Sequence, residues 1–195
     1  MSKLIKNNNK IIYSSYRQIP NSASAWTVTA GSLTTVNENQ PDGYIQANVT
    51  PTIAHLESTQ AYGEWYFDVY AAAGNNIYFY FISDATTIPP TNYVRLWVRY
   101  STGAIYIQSN AGTILSTAVE YITTNTWNSI KITRSGSTYN MYIKGGSYGN
   151  LWTFSGTGTS AINTTNTYMT LSYGTNSRIR NVRFKPSTGY NTVIK

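Results

Sequence analysis

The chain has 195 residues, of which 41% are hydrophobic and only 11% are charged, with a net charge of +7 and 18 tyrosines. This length suffices for one domain with a sizeable core, and the lack of cysteine excludes disulfides and thiolate metal sites. Abundant Tyr and Thr, without a sustained helical repeat of apolar residues, predict an all-β protein with almost no helix.

Charge changes sign along the chain: residues 1–37 carry +4, residues 38–120 carry −5 and residues 121–195 carry +8. Such blocks indicate either a solvated basic surface or surfaces that pair between neighbouring copies. The bases form no compact cluster and no nucleic-acid-binding motif is present, so we expect no nucleic-acid partner. Neither a signal-peptide pattern nor an apolar run of membrane-spanning length occurs in the sequence, so we expect no signal peptide and no membrane partner.

The first residues differ in composition from the rest, and we predict an arm and linker at residues 1–25 before a single domain at residues 26–195. The arm has four bases, no acid and the loop-like sequence PNSAS at 20–24. It has too few apolar residues to fold alone, and we expect the domain to fold without it. We expect it to dock on a neighbouring subunit, by strand addition or on an acidic surface, through Lys3, Lys6, Lys10, Ile11, Ile12, Tyr13 and Tyr16.

Short strand candidates then recur, separated by turn residues. They are Trp26–Thr29, Tyr44–Val49, Glu64–Tyr70, Asn76–Ile82, Tyr93–Tyr100, Ala104–Gln108, Ser129–Arg134, Tyr139–Lys144, Leu151–Phe154, Tyr168–Tyr173 and Ile179–Phe184. This spacing predicts an antiparallel two-sheet β-sandwich or jelly roll. The polar, low-complexity residues 155–167 predict an exposed loop.

Period-two alternation on both sides of a Ser-Gly-Ser turn at 135–137 predicts a hairpin between Ser129–Arg134 and Tyr139–Lys144. Ile130 and Ile132 are expected to be buried, with Lys131 on the opposite, exposed face.

Four segments resemble known sandwiches. GEWYFDVY (63–70) and GNNIYFYFIS (74–83) resemble early strands of SPRY-like domains, and TWNSIKITRSGSTYNMYIKGG (126–146) resembles the late hairpin of laminin-G-like domains. RIRNVRF (178–184) resembles the closing strand of the concanavalin-A-like lectin/glucanase superfamily. The resemblance covers about residues 26–185 and implies a concanavalin-A-like sandwich. The superfamily includes lectins, glycosidases, protein-binding modules and viral structural proteins. Where its members usually carry Asp-Gly or Asn-Gly after the hairpin, this chain has Lys144-Gly145-Gly146, which weakens a ligand or metal role there.

Catalysis and metal binding lack their usual residues. Glycoside hydrolysis needs two carboxyls about 5–9.5 Å apart, whereas Glu64 and Asp68, four residues apart on one strand, are separated by about 13 Å. The Glu-x-Asp-x-x-Glu strand of the superfamily's glucanases is absent. The single histidine, His55, excludes a His-rich metal site, and no nucleophile-elbow or acidic calcium loop is present. We therefore expect no enzyme, no cofactor and no metal.

Strand alternation predicts a binding face instead. In YVRLWVRY (93–100) the aliphatic residues take one side of the strand and the aromatic and basic residues take the other. The same rule applied to the neighbouring candidates gives the predicted binding residues Tyr78, Tyr80, Tyr93, Arg95, Trp97, Arg99 and Tyr106. If Glu64–Tyr70 joins this sheet, Tyr66 and Tyr70 extend the face. Such a face suits a protein interface or a glycan, or it is covered by loops or the arm.

Two functions follow from the sequence. The first is a non-enzymatic structural protein of a virus particle, a phage capsid decoration, fibre or tail component. It is expected to be made in the host cytoplasm and to reside in the virion, with other virion proteins and copies of itself as partners. The alternative is a carbohydrate-binding module without catalysis, with a surface glycan as its partner.

Overall fold

The computed structural model describes residues 4–7, 10–13, 16–38, 40–58, 61–117, 122–161 and 168–187. In these ranges the helical segments are the short 3-10 helices η1 (Ala23–Ala25) and η2 (Gly146–Tyr148). No helix of the described ranges has the length and hydropathy of a membrane span.

The strands of the described ranges have the following bounds: β1 (Leu4–Asn7), β2 (Lys10–Tyr13), β3 (Arg17–Gln18), β4 (Thr27–Ala30), β5 (Leu33–Val36), β6 (Tyr44–Ala47), β7 (Thr52–Glu57), β8 (Gly63–Tyr70), β9 (Ile77–Ser83), β10 (Tyr93–Arg99), β11 (Ala104–Ser109), β12 (Gly112–Ser116), β13 (Trp127–Ser135), β14 (Thr138–Gly145), β15 (Thr153–Thr159), β16 (Tyr168–Tyr173) and β17 (Arg178–Pro186).

Two antiparallel sheets form the body, as the sequence predicted. The front sheet has the order β12-β11-β10-β9-β16-β7-β4, and the back sheet has the order β15-β14-β13-β8-β17-β6-β5, with β3 added beside β17. Strands β1 and β2 pair with each other as a separate two-stranded sheet. The two-sheet antiparallel sandwich is therefore confirmed.

The core lies between the sheets and is filled by the apolar side of each strand. Phe67 on β8 meets Phe79 on β9 with ring centroids 4.9 Å apart, and Trp65 meets Phe81 at 5.0 Å. All four side chains are at most 1% exposed. Since β8 belongs to the back sheet and β9 to the front sheet, these rings join the two layers.

The predicted hairpin is confirmed as β13 and β14. Its register places Ser129 opposite Lys144 and Arg134 opposite Tyr139. Ile130 and Ile132 are fully buried, whereas Lys131 is half-exposed on the outer side. Gly136 turns the chain with φ +55°, a left-handed conformation that costs glycine nothing.

Some expectations about elements were wrong. Strand β15 was predicted at Leu151–Phe154 but runs from Thr153 to Thr159, so residues 155–159, predicted as loop, pair with β14 although they are Ser, Gly and Thr. Residues 162–167 of that predicted loop lie outside the described residues. Strands β5, β7 and β12 were not predicted. Strand β8 is in the back sheet, so Tyr66 and Tyr70 face away from the predicted binding residues.

Part of the predicted arm packs on the sandwich. Strand β3 pairs with β17, and the backbone N–H of Ile19 donates to the carbonyl of Val182 at 2.8 Å. Ile19 is 6% exposed and belongs to the core. As a division into domains the boundary after residue 25 stays a prediction, but residues 16–25 contact the body of the protein.

The predicted docking residues are only partly described. Lys3 and the side chains of Lys6, Lys10, Ile11, Ile12 and Tyr13 lie outside the described part, so their docking on a neighbour stays a prediction. Tyr16 contacts its own sandwich: its ring is edge-on to Tyr66 and its hydroxyl donates to the Glu64 carboxylate.

We expect Ile19→Ala to lower the free energy of unfolding by about 2 kcal/mol, because it removes a buried aliphatic side chain and leaves a cavity. The measurement is chemical denaturation, with Val49→Ala, at a site that is 46% exposed, as the control expected to change little. Removal of residues 1–25 is likewise expected to destabilise the protein, in contrast to the expectation from the sequence. An Ile19→Ala effect no larger than that of Val49→Ala would contradict this account of residues 16–25.

Candidate functional site

All seven predicted binding residues lie on the outer face of the front sheet, on the adjacent strands β9, β10 and β11. The register places Trp97 opposite Tyr78 on one side and opposite Tyr106 on the other. The next row places Arg95 opposite Tyr80 and opposite Gln108. The register places these residues on one side of the sheet, although Tyr80 is only 1% exposed, and their role in binding stays a prediction.

Tyr78, Trp97 and Tyr106 form a stacked row of three rings, which we call the aromatic row. The Trp97 ring centroid lies 5.8 Å from that of Tyr78 and 4.8 Å from that of Tyr106. The interplanar angles are 22° and 27°, so each ring is held by its neighbour in an offset stack. All three side chains are half-buried, so part of each ring remains exposed and the three rings together form an ordered aromatic surface.

Arg95 is fixed beside the aromatic row. Its Nη1 donates to the Tyr80 hydroxyl at 2.9 Å, and its Nε and Nη2 donate to Gln108 Oε1 at 3.2 and 2.9 Å. The guanidinium also lies over the rings of Tyr78, Tyr80 and Tyr93, at 4.8, 5.5 and 5.4 Å. Arg99 is exposed and lies over Trp97 at 5.8 Å. A guanidinium held in this way needs little reorganisation to meet a ligand.

Strands β16 and β7 extend the face with residues that the sequence prediction missed. Thr170 pairs with Tyr80 on one side and with His55 on the other. Thr170 Oγ1, His55 Nδ1 and Trp97 Nε1 are buried and have no hydrogen-bond partner among the described residues. Buried polar groups normally have a hydrogen-bond partner, and ordered water can supply one here. Burial lowers the pKa of His55, which favours the neutral imidazole.

The front face has no pair of carboxylates on β9, β10 or β11. Glu64 and Asp68 lie together on β8, on the outer face of the back sheet, and both are engaged. Asp68 accepts hydrogen bonds from Ser129 and Asn181 and pairs with Arg180 at 3.3 Å. Glu64 accepts from Tyr16 and lies 3.9 Å from Lys185. No group of three or more His, Asp or Glu residues suited to a metal occurs in the described part of the chain.

The outer face of the back sheet carries a second aromatic cluster, which the sequence analysis missed. The Trp127 ring lies 5.8 Å from Tyr44 and 5.6 Å from Tyr70. Arg178 lies over Tyr44 and Tyr70 at 4.9 and 4.4 Å, and Arg180 lies over Trp127 at 4.1 Å. These residues come from four strands that are distant in sequence, which is why no local pattern revealed the cluster.

We expect Tyr80→Phe to lower the free energy of unfolding at neutral pH by about 2 kcal/mol, because Arg95 loses a hydrogen-bond acceptor. Burial raises the pKa of Tyr80 above its ordinary 10.0, although Arg95 opposes the shift. The protonated phenol of Tyr80 therefore makes its full contribution to the free energy of unfolding below pH 10.0. This contribution is lost as the pH rises through the raised pKa.

The difference in the free energy of unfolding between wild type and Tyr80→Phe should accordingly become smaller above pH 10.0. Denaturation curves across this range measure it. Tyr106→Phe, which removes a hydroxyl without a hydrogen bond to a described residue, is the control. A difference that stays constant or widens at alkaline pH argues against the account of Tyr80.

Comparisons with known proteins identify the fold. No protein-family profile and no curated protein sequence matches the chain. Among solved structures it is similar to the carbohydrate-binding module CBM66 from Bacillus subtilis, with a TM-score of 0.60 and 13% identity over 82% of this chain and 95% of that one. The exoplasmic/lumenal domain of VIP36 in its Ca2+/Man2-bound form has a TM-score of 0.63 and 10% identity, covering 89% of this chain and 88% of that one. The Bacillus licheniformis beta-glucanase has a TM-score of 0.62 and 11% identity, covering 89% and 98%. The chain therefore has the concanavalin-A-like sandwich fold that the sequence resemblance implied.

Proposed function

We propose that the protein is a carbohydrate-binding module without catalytic activity, and that it binds a glycan on the outer face of the front sheet. The observation that carries this proposal is the aromatic row of Tyr78, Trp97 and Tyr106 beside the fixed guanidinium of Arg95. A pyranose ring has apolar C–H faces and polar hydroxyl edges. An aromatic surface with adjacent hydrogen-bonding groups matches both parts of such a ligand.

The rigidity of the face supports binding. Its residues project from paired strands and not from loops, and each side chain is held by a ring contact or a hydrogen bond to its neighbour. A preorganised surface binds without the cost of ordering its side chains.

The absence of catalysis is part of the proposal. Glu64 and Asp68 stand about 13 Å apart along β8, and each is already bonded to neighbouring side chains. Two carboxylates flanking a glycosidic bond must be about 5–9.5 Å apart. The similar structures include a carbohydrate-binding module and a Man2-bound domain as well as a glucanase, so they support a glycan as the class of ligand.

The alternative from the sequence is thus preferred to the main one. A structural role in a virus particle, residence in the virion and docking of the arm on neighbouring subunits stay predictions. They are compatible with glycan binding, since a glycan-binding sandwich also suits attachment to a surface.

We expect Trp97→Ala to weaken glycan binding by at least about 1–2 kcal/mol, a five- to thirtyfold loss of affinity, because it removes the centre of the aromatic row. A glycan array identifies the ligand, and isothermal titration calorimetry with that ligand measures the loss. Trp152→Ala is the matched control, since Trp152 is a half-buried tryptophan beside the back sheet, where its ring contacts Tyr66 at 5.0 Å.

Both variants are first checked for an unchanged thermal unfolding profile. Failure to retain any glycan, or equal losses for Trp97→Ala and Trp152→Ala, would refute the proposed surface. Release of reducing sugar from the bound glycan by the wild-type protein would refute the absence of catalysis.

A further inference from the structure

A cleft of about 470 Å³ opens at one end of the sandwich, away from the front-face residues. The connections β8–β9 and β16–β17 and the segment before β13 form it. Its lining includes Tyr70, Asn75, Asn125, Thr175, Asn176 and Arg178. The cleft therefore combines one aromatic ring, one base and several neutral polar side chains.

Arg178 is the charged group of the cleft. Its Nε donates to Gln46 Oε1 at 3.0 Å, and its guanidinium lies over the rings of Tyr44 and Tyr70. No described carboxylate forms an ion pair with it, and its terminal nitrogens donate to no described residue. The contacts hold the planar group in place while leaving two parallel donors, the geometry that binds a carboxylate.

Asn125 and Asn176 line the same cleft as this base. Each has a left-handed backbone, with φ +58° and +64°, and each backbone N–H is anchored, to the carbonyls of Ala71 and Ala47 respectively, at 2.9 Å. Both side chains are exposed and make no hydrogen bond to a described residue. Their amides can donate to and accept from the hydroxyls of a sugar.

The surrounding surface is positive. Among the described side chains on the outer face of the back sheet, both acids are already paired, Asp68 with Arg180 and Glu64 with Lys185. Four further bases have ring contacts but no ion pair: Lys131, Lys144, Arg178 and Arg183. This excess attracts an anionic ligand to the face without specifying which one.

We propose that the cleft binds a uronic acid residue of an acidic polysaccharide. The sugar carboxylate pairs with Arg178, the sugar ring lies beside Tyr70, and the hydroxyls meet the amides of Asn125 and Asn176. The single base among neutral amides favours a sugar carboxylate over a nucleic acid, whose successive phosphates are met by several converging bases. This site is separate from the front face and does not depend on glycan binding there.

The test is calorimetry with short oligomers of galacturonate, glucuronate and mannuronate, each compared with its methyl ester. At least one oligouronate is expected to bind, and its ester at least about tenfold more weakly, because the ester cannot form the charged pair. Arg178→Gln is expected to lose about tenfold in affinity. Arg178→Lys keeps the positive charge but lacks the paired N–H donors of the guanidinium. Its affinity is expected to lie between those of wild type and Arg178→Gln.

Lys144→Gln is the matched control, because it removes one positive charge from the same face three strands away from β17, and it should bind as wild type does. The proposal is overturned if no oligouronate binds, or if acid and ester bind equally. It is also overturned if Arg178→Gln and Lys144→Gln weaken binding alike, or if a single-stranded oligonucleotide binds as tightly as the best oligouronate. Trp97→Ala should retain oligouronate binding, and its loss would place the acidic sugar on the front face instead.

Discussion

The contact between β8 and β9 across the core decides how the rest of the molecule is arranged. The two strands are consecutive in the chain, yet the rings of Trp65 and Phe67 face those of Phe81 and Phe79 from opposite sheets. Each buried ring contributes about 1.5–3 kcal/mol from its removal from water. Because the apolar side of each strand points inward, the Tyr- and Arg-rich sides point outward in opposite directions. The protein thereby gains two separate polar–aromatic faces.

The two faces carry the same types of side chain, but their arginines are hydrogen-bonded differently. On the front face, Arg95 is bonded to Tyr80 and Gln108, so its charge is largely engaged and the stacked rings dominate. On the back face, Arg178 is held through Nε and two rings, and its fork is left for a ligand. The proposed glycan surface and the proposed acidic-sugar cleft both rest on this difference in hydrogen bonding, although the two faces have similar compositions.

What could be predicted from the sequence was local. The β13–β14 hairpin and the face of β9, β10 and β11 follow from alternation within neighbouring segments, and both are present. Pairing between distant segments left no such pattern, so the contribution of Thr170 to the front face and the Tyr44–Trp127–Arg178 cluster were missed. The extension of strand β15 through residues 155–159 was missed because backbone pairing at a sheet edge needs no apolar side chains. The packing of Ile19 into the core of its own sandwich was not predicted, because an apolar residue in a polar segment forms no periodic pattern that shows where it packs.

The most direct test of the account is a crystal structure of the protein with the oligosaccharide that binds most tightly on a glycan array. The account predicts an intact oligosaccharide on an outer face of the sandwich, with a sugar ring against the aromatic row or a sugar carboxylate on Arg178. An oligosaccharide bound elsewhere on the molecule, or one cleaved between two carboxylates, would contradict it.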